Sequence, residues 1–533
     1  MTTYSKPIYK AVSYSSYDSR PQASLYNWAR TTYPESYTTM TEIPTEGVKY
    51  INSIIPTVLG GTFNGCEKLE ELEVAAWNTK YCAHFYSLFL DCKALTRLDV
   101  SHWDTSSATS FSSMFQHCKS ITYLDVSNFD TSKVTNMYAM FQQMEAVVDI
   151  DGLDTFDTSN VTSMQFMFQY CYALETDLDL SSWNTSKVTT MHNFFQGDSK
   201  LTNINLANWD VSKVTSLSAF FSGCTGLSDL DLTNWNPSSC TNFSSMFNGC
   251  SSLTEVDVSN WSTGNVTNIG SMFNGCINLE EIDVSKWDTS KVEGTYRAFH
   301  ACKKVEELEI DDWNTSKFNS LEGIFYECNS LTELDCSKWN ITAPVSTKDT
   351  FRELFNCTSL KFPHTLVTKE PHGTFAQDYL LTSIDVTGWS INSSATSMYQ
   401  TFFYCRSLTS LDLSPWVTTS ITSYNQCFRN CTELLVLDIS NFDSSAVECT
   451  MTQMFYNTPK LQYLIIGSNT FKFQMKDSSC GNLNTTCKIL VPNALLNTFK
   501  TAQNWSDRSA QFYAIENYTI TRSNGRVTVT PNS

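Results

Sequence analysis

The chain has 533 residues and carries 35 Lys+Arg against 54 Asp+Glu, a formal charge of −19. A balance so acidic, with no local basic stripe, argues against nucleic acid as a partner, because a phosphate backbone would be repelled. Charged residues are 17% and aromatic residues 13% of the chain, a composition that folds rather than stays disordered.

Residues 1–61 are rich in Tyr, Ser, Thr and Pro, and read as an N-terminal cap or attachment segment. They lack the basic patch, apolar run and small-residue cleavage site of a secretory signal. No run of about 18 apolar residues follows, so no membrane insertion is expected, and the last residues carry no lipidation box.

From Phe63 onward the chain repeats itself. Phe63, Phe89, Phe115, Phe141, Phe168, Phe195, Phe221, Phe247, Phe273, Phe299, Phe325, Phe351, Phe375, Phe403, Phe428 and Phe455 follow one another in steps of 24 to 28 residues, mostly 26. Fourteen residues after most of them stands a second aromatic, including Trp77, Trp103, Phe129, Trp209, Trp235, Trp261 and Phe442. A period held this long predicts a repeat solenoid of about 16 units over residues 62–467, replacing the several separate domains that the length alone suggests.

Residues 114–139 show how one unit works. Tyr123-Leu124-Asp125-Val126 alternates polar and apolar and predicts one short parallel strand, with Leu124 and Val126 inward. Asn128-Phe129-Asp130-Thr131-Ser132 holds side chains that bond their own backbone in turns, while Phe129 enters the core. Val134, Met137, Met140 and Phe141 recur at three- and four-residue steps, which predicts a short helical or irregular segment on the opposite wall. Rungs about 4.8 Å apart would give an array on the order of 75 Å long. The core ladder is expected to include Phe115, Phe141, Phe247, Phe273, Trp209, Trp235, Trp261, Cys224, Cys250 and Cys276.

The fuller string MFxxCxxLxxLDVSxWDTSKVTxM resembles the BspA-like repeats of bacterial, protist and phage surface proteins, also described as the mycoplasma-lipoprotein or DUF285 type. The resemblance covers about residues 62–467. It implies a leucine-rich-repeat solenoid and roles in adhesion and surface recognition. KILVPNALLNTFK, beginning at Lys488, resembles the terminal cap of the same family: a strand ending at Pro492, then a helix around Ala494–Ala502. Residues 517–533 could add a strand pair to this C-terminal cap, 468–533.

Several columns invite chemistry. Eleven cysteines lie three residues after the Phe position, among them Cys224, Cys250 and Cys276, and exchange with Met144, Leu354, Asp198 and Asp378. Such exchange would orphan disulfide partners, so the column reads as buried reduced thiols. Cys427 with Cys431 and Cys480 with Cys487 are the close pairs that could bridge. Thiols in the core and the missing signal favour folding in a reducing cytosol.

Ten outward aspartates, including Asp231, Asp257 and Asp283, form an acid ladder; it reads as solvated and bonded to neighbouring Ser and Thr, with a calcium-decorated face as the sharper alternative. Asp104, Asp130 and Asp288 exchange with Asn184 and Asn314 after the aromatic, a turn signature. Lys133, Lys187 and Lys291 follow and are expected to screen the acids. Between Phe351 and Phe375 the unit shrinks to 24 residues, loses its LDVSxW block and gains His364, Lys369 and His372. This break reads as a bulging loop, or as a recognition feature in which those three residues are binding candidates.

No nucleophile elbow, P-loop, dinucleotide fingerprint or HExxH appears, so neither a cofactor nor catalysis is expected. The expectation is a recognition or adhesion scaffold that binds a protein or glycan on a cell surface. A virion component docked to other virion proteins through residues 1–61 is the favoured location, and a secreted or microbial cell-surface protein the alternative. A virion spacer without ligand and a carbohydrate-active enzyme in the C-terminal part are the competing readings.

Overall fold

The computed structural model describes residues 58–468 and 483–533, apart from residues 73, 76, 176–177, 364 and 444–448. Most of the expected N-terminal cap, with Cys480 and His364, lies outside the described residues. Two compact units divide the chain, Met1–Cys240 and Thr241–Ser533, and the same rung builds both.

In the first unit the short strands are β1 (Glu71–Leu72), β2 (Arg97–Leu98), β3 (Tyr123–Asp125), β4 (Asp149–Asp151), β5 (Leu178–Asp179) and β6 (Ile204–Asn205). They pair in parallel as β1 with β2, β3 with β4 and β5 with β6. Leu124 opposes Ile150 in register; both are buried. The alternation read from the sequence therefore sets the register, since a one-residue slip would turn Leu124 into solvent.

Behind the strands, where a helical or irregular segment is expected, the irregular form is found. Residues 137–144 form successive reverse turns: Met140 N–H donates to Met137 C=O, and Met144 N–H to Phe141 C=O. Between these, Met137, Ala139, Phe141 and Gln143 donate to the carbonyls of Ser163, Gln165, Met167 and Gln169 on the next rung. Ala139 and Gln143 lie at φ 52° and 56°, the left-handed region that costs an L-residue on the order of 1–2 kcal/mol. The rung-to-rung ladder that these turns open offsets that cost. Three- and four-residue spacing suits both a helix and a run of turns; the turns prevail because they leave half of the N–H groups free to bond the neighbouring rung.

The Phe column is fully buried and stacked. Ring centroids lie 5.8 Å apart at Phe115–Phe141 and 5.3 Å apart at Phe141–Phe168. In the second unit Phe247–Phe273 and Phe273–Phe299 lie 5.5 and 5.8 Å apart. At one rung the expected member, Phe403, is replaced by its neighbour: Phe402 stacks on Phe375 and Phe428 at 5.4 and 5.6 Å, and Phe403 is half-buried on the wall. Cys405 therefore follows its Phe by three residues, like the other cysteines in the column.

The second unit contains β7 (Glu333–Asp335), β8 (Val345–Ser346), β9 (Ser359–Lys361), β10 (Leu366–Glu370), β11 (Trp389–Ile391), β12 (Ser410–Asp412), β13 (Val436–Ile439), β14 (Tyr463–Ile466), β15 (Lys488–Val491), α1 (Leu496–Thr501), β16 (Phe512–Ala514), β17 (Tyr518–Ser523) and β18 (Arg526–Pro531). Strands β12 to β16 form one parallel sheet in sequence order, and β17–β18 is an antiparallel hairpin. The expectation of a strand in every unit does not hold throughout. Around Val256, Ile282 and Leu308 the in-out alternation persists without an assigned strand.

The short unit at 351–375 is not a bulging loop but is built into the sheets, with a register shift between Thr368 and Glu370. β9 pairs in parallel with β7, and β10 joins β8 and β11 in a second parallel sheet. Phe362 fills the space of the missing tryptophan, edge-on to Phe351, Phe375 and Trp389. Thr347, Thr368 and Thr374, all buried, close the seam through Oγ1 contacts of 2.8 and 3.0 Å.

Candidate binding surfaces

Each rung offers a strand face and a turn wall, and the interior columns separate the two. The Trp column is packing: Trp209 Nε1 donates to Leu180 C=O at 3.0 Å and stacks on Trp235 at 6.2 Å. Trp261 is likewise buried, its ring 5.3 Å from Phe243.

The Cys column is a row of thiol donors. Cys224 Sγ lies 3.1 Å from Phe195 C=O, and Cys276 Sγ 3.1 Å from Phe247 C=O; Cys250 is buried in the same column. Burial pushes the Cys276 thiol up to about 12. Cys427 and Cys431 form no disulfide, contrary to the bridge considered for them; Cys431 Sγ lies 3.1 Å from Phe402 C=O instead.

Asp198 and Asp378 replace cysteine in this column. Their Oδ1 atoms accept from Cys171 and Leu354 N–H at 2.8 and 3.1 Å. Full burial holds both carboxyls well above the usual range.

On the strand face, every member of the acid ladder closes its own turn. Asp231, Asp257 and Asp283 each accept, through Oδ1, the N–H and the hydroxyl of Thr233, Ser259 and Ser285, at 2.7–3.0 Å. Those bonds hold Asp231 and Asp283 below the ordinary carboxylate value. Among the described residues, no three Asp, Glu, His or Cys side chains converge as a metal site. The lysines do not screen this ladder: Lys133 donates to Ser106 C=O, and Lys187 and Lys291 to Asn160 and Asn265, in the turns of the preceding rung.

From residue 280 to 309 the strand face is an acidic groove of about 720 Å³, lined by Glu280, Glu281, Asp283, Glu306, Glu307 and Glu309 with Lys304. Further along, the outward positions become apolar, and the chain covers them itself. The β17–β18 hairpin lies on Val436, Tyr463, Ile465 and Leu490 through Ile520, Val527 and Val529. Arg522 reaches Asp438 at 2.8 and 2.5 Å. At the hairpin tip Gly525 has φ 72°, and a Cβ there would stand 2.3 Å from Ile384 C=O, so the close approach requires glycine.

The turn wall differs between the units. In the first, Gln116, Gln142, Gln169 and Gln196 pass an amide ladder from rung to rung. In the second, beside a shorter amide ladder through Gln400, Gln426 and Gln453, stands a comb of arginine and aromatic side chains. Arg297 lies over Tyr296, Arg352 over Tyr326, Arg406 over Tyr379 and Tyr404, and Arg429 over Phe403 and Tyr456, at 4.7–6.0 Å from the ring centroids. His372 sits in this comb, its ring 4.8 Å from Tyr399, and burial depresses its pKa. Lys369 is half-buried on β10. Sequence reasoning missed the comb because its members do not repeat at a fixed phase.

The C-terminal part, where an enzyme is the competing reading, has a depression of about 420 Å³. Its one lining carboxylate, Glu516, accepts Asn493 N–H through both oxygens at 3.0 Å. No helix among the described residues is long and apolar enough to cross a membrane.

Stacked columns, parallel rungs and turn-built backs define a solenoid of the leucine-rich-repeat type. A family profile described as "Mycoplasma protein of unknown function, DUF285" matches residues 57–178, 144–257, 241–361 and 370–479, and the chain belongs to that family. Among solved structures it is similar to a leucine-rich cell surface protein from Faecalibacterium prausnitzii A2-165, at 17% identity and a TM-score of 0.32, over 61% of this chain and 81% of that one. It is also similar to an internalin from Listeria monocytogenes, at 10% identity and a TM-score of 0.19, over 83% of this chain and 94% of that one. None of the curated proteins matches the chain.

Proposed function

We propose that the chain is a non-catalytic recognition scaffold that binds a protein partner on a cell surface. The observation that carries this reading is the division of labour within the rung. The Phe and Trp columns are buried alike along each unit, while the exposed outward positions change from Arg97 and Tyr123 to Glu281, Glu307 and Glu309. Repeat arrays with a constant core and changing surfaces present extended binding faces, and function then lies in those surface residues.

The buried thiols, acting as donors to backbone carbonyls, suit folding in a reducing compartment. That supports the finer proposal of a virion component, made in the cytosol and docked through residues 1–61. Electron microscopy of native particles tests it: the chain on the particle surface agrees, and its absence from particles refutes it. For the scaffold itself, charge reversal at Glu281, Glu307 and Glu309, or loss of the comb arginines, should weaken cell binding without lowering the melting temperature. Cell binding unchanged by both sets would overturn the reading.

A further inference from the structure

We propose that Arg406 and Arg429 form a binding site for a carboxylate of an acidic peptide segment. Phe355, Tyr379, Arg406 and Tyr404 make one column. Phe355 stacks on Tyr379 with centroids 5.0 Å apart and planes 2° from parallel, and the Arg406 guanidinium carbon lies 4.7 Å from Tyr379 and 5.0 Å from Tyr404. Beside it, Arg429 lies 4.8 Å from Tyr456 and 6.0 Å from Phe403.

The backbone beneath is fixed by the ladder: Tyr404 N–H donates to Arg429 C=O and Asn430 N–H to Tyr456 C=O, both at 2.8 Å. Stacking covers the flat faces of each guanidinium and holds it in place. Arg406 is exposed, and Arg429 is half-buried with its Nε buried and without a hydrogen-bond partner among the described residues, so much of the ordering that binding requires is already in place.

The same wall shows what such an edge takes. Arg352, stacked on Tyr326, is held by Asp349 through Nη1 at 3.2 Å and by Glu353 through Nε at 3.4 Å. Neither Arg406 nor Arg429 has a carboxylate within ion-pair distance among the described residues; Arg429 donates only to the Gln453 amide. Nearby acids are already engaged. Glu353 also accepts from Gln377 at 2.7 Å, and Glu433 holds Lys460 at 2.7 Å. Two oriented guanidinium groups without a counter-charge among the described residues, in a chain of net charge −19, suit a carboxylate acceptor. A peptide suits this site better than a sugar acid, because both faces of Tyr379 are occupied and offer no platform for a pyranose ring.

The test is fluorescence anisotropy on the full chain, with a labelled peptide of alternating Glu and Ser, a Lys–Ser peptide of equal length and an oligogalacturonate. The Glu–Ser peptide should bind saturably, and the other two more weakly. Arg406→Gln with Arg429→Gln should lower its affinity roughly tenfold or more. Arg406→Lys should also weaken it, since lysine lacks the planar fork, while melting temperatures hold. No binding of the Glu–Ser peptide, an equal loss in the remote Lys93→Gln control, or tighter binding of the oligogalacturonate would each overturn the site. The inference rests on the scaffold reading only for the partner being a protein. Peptide binding without cell binding would sink that reading and leave this site standing.

Discussion

Replacing Phe299 by Ala is expected to destabilise the second unit by about 3–5 kcal/mol, the cost of truncating a buried phenylalanine. Phe299 is 1% exposed and touches three rings: Phe273 at 5.8 Å, Phe325 at 6.1 Å and Trp313 at 6.0 Å. Each ring contact adds about 0.5–1.5 kcal/mol beyond burial, which places the loss toward the upper end of that range. Rungs contact mainly their neighbours, so the damage should be local. Denaturant unfolding would read the size of the loss, and hydrogen exchange its location. Faster exchange should centre on the amides of Phe273, Phe299 and Ile324, with Phe115 and Phe141 in the first unit unchanged. A loss below about 1 kcal/mol, or faster exchange spread evenly over both units, would refute the stacked-column account.

Asp198 and Asp378 make stability depend on pH. Below the ordinary carboxyl value of 3.8, both folded and unfolded chains are protonated. As pH rises past it, the unfolded chain ionises while the buried groups hold their protons, so stability falls until the folded carboxyls also ionise. Asp198→Asn with Asp378→Asn should flatten the fall in melting temperature from about pH 4 upward; an unchanged slope would contradict the assignment. Arg522→Ala should cost about 1.5–3 kcal/mol, because Asp438 is left buried without its charged partner, and should expose β17–β18 to proteolysis first. Equal protease resistance would show that the hairpin is held by its apolar side alone. Ellman's reagent at mildly alkaline pH should label Cys276 and Cys302 only on unfolding, since burial disfavours their thiolates and the thiolate is the reactive form; prompt labelling of the native chain would place these cysteines outside the core.

Much of the fold was legible in the sequence because its core columns repeat. Phe141 and Phe247, Trp209 and Cys276 stand where the period put them. The choice between Phe402 and Phe403 was not legible, because adjacent phenylalanines fit the phase equally well and only ring stacking decides between them. The turn wall was left open between helical and irregular although one signal was present. Gly197, Gly223, Gly249 and Gly275 recur two residues after the Phe position, each with positive φ, and glycine at that phase marks a turn rather than a helix. The comb was hidden for a different reason. Arg352 and Arg429 directly follow their phenylalanines, but Arg297 stands two residues before Phe299 and Arg406 four after Phe402, so the set has no common phase. The break at 351–375 looked like lost structure because the LDVSxW motif was gone, yet Phe362, with the buried Thr347, Thr368 and Thr374, restores the packing.

Binding of the labelled full-length chain to intact cells, before and after protease shaving of their surface, tests the central claim most directly. The account predicts saturable binding that unlabelled chain displaces and that shaving abolishes. Absence of cell binding, with the chain instead recovered on particles at fixed stoichiometry, would contradict it and leave a structural spacer.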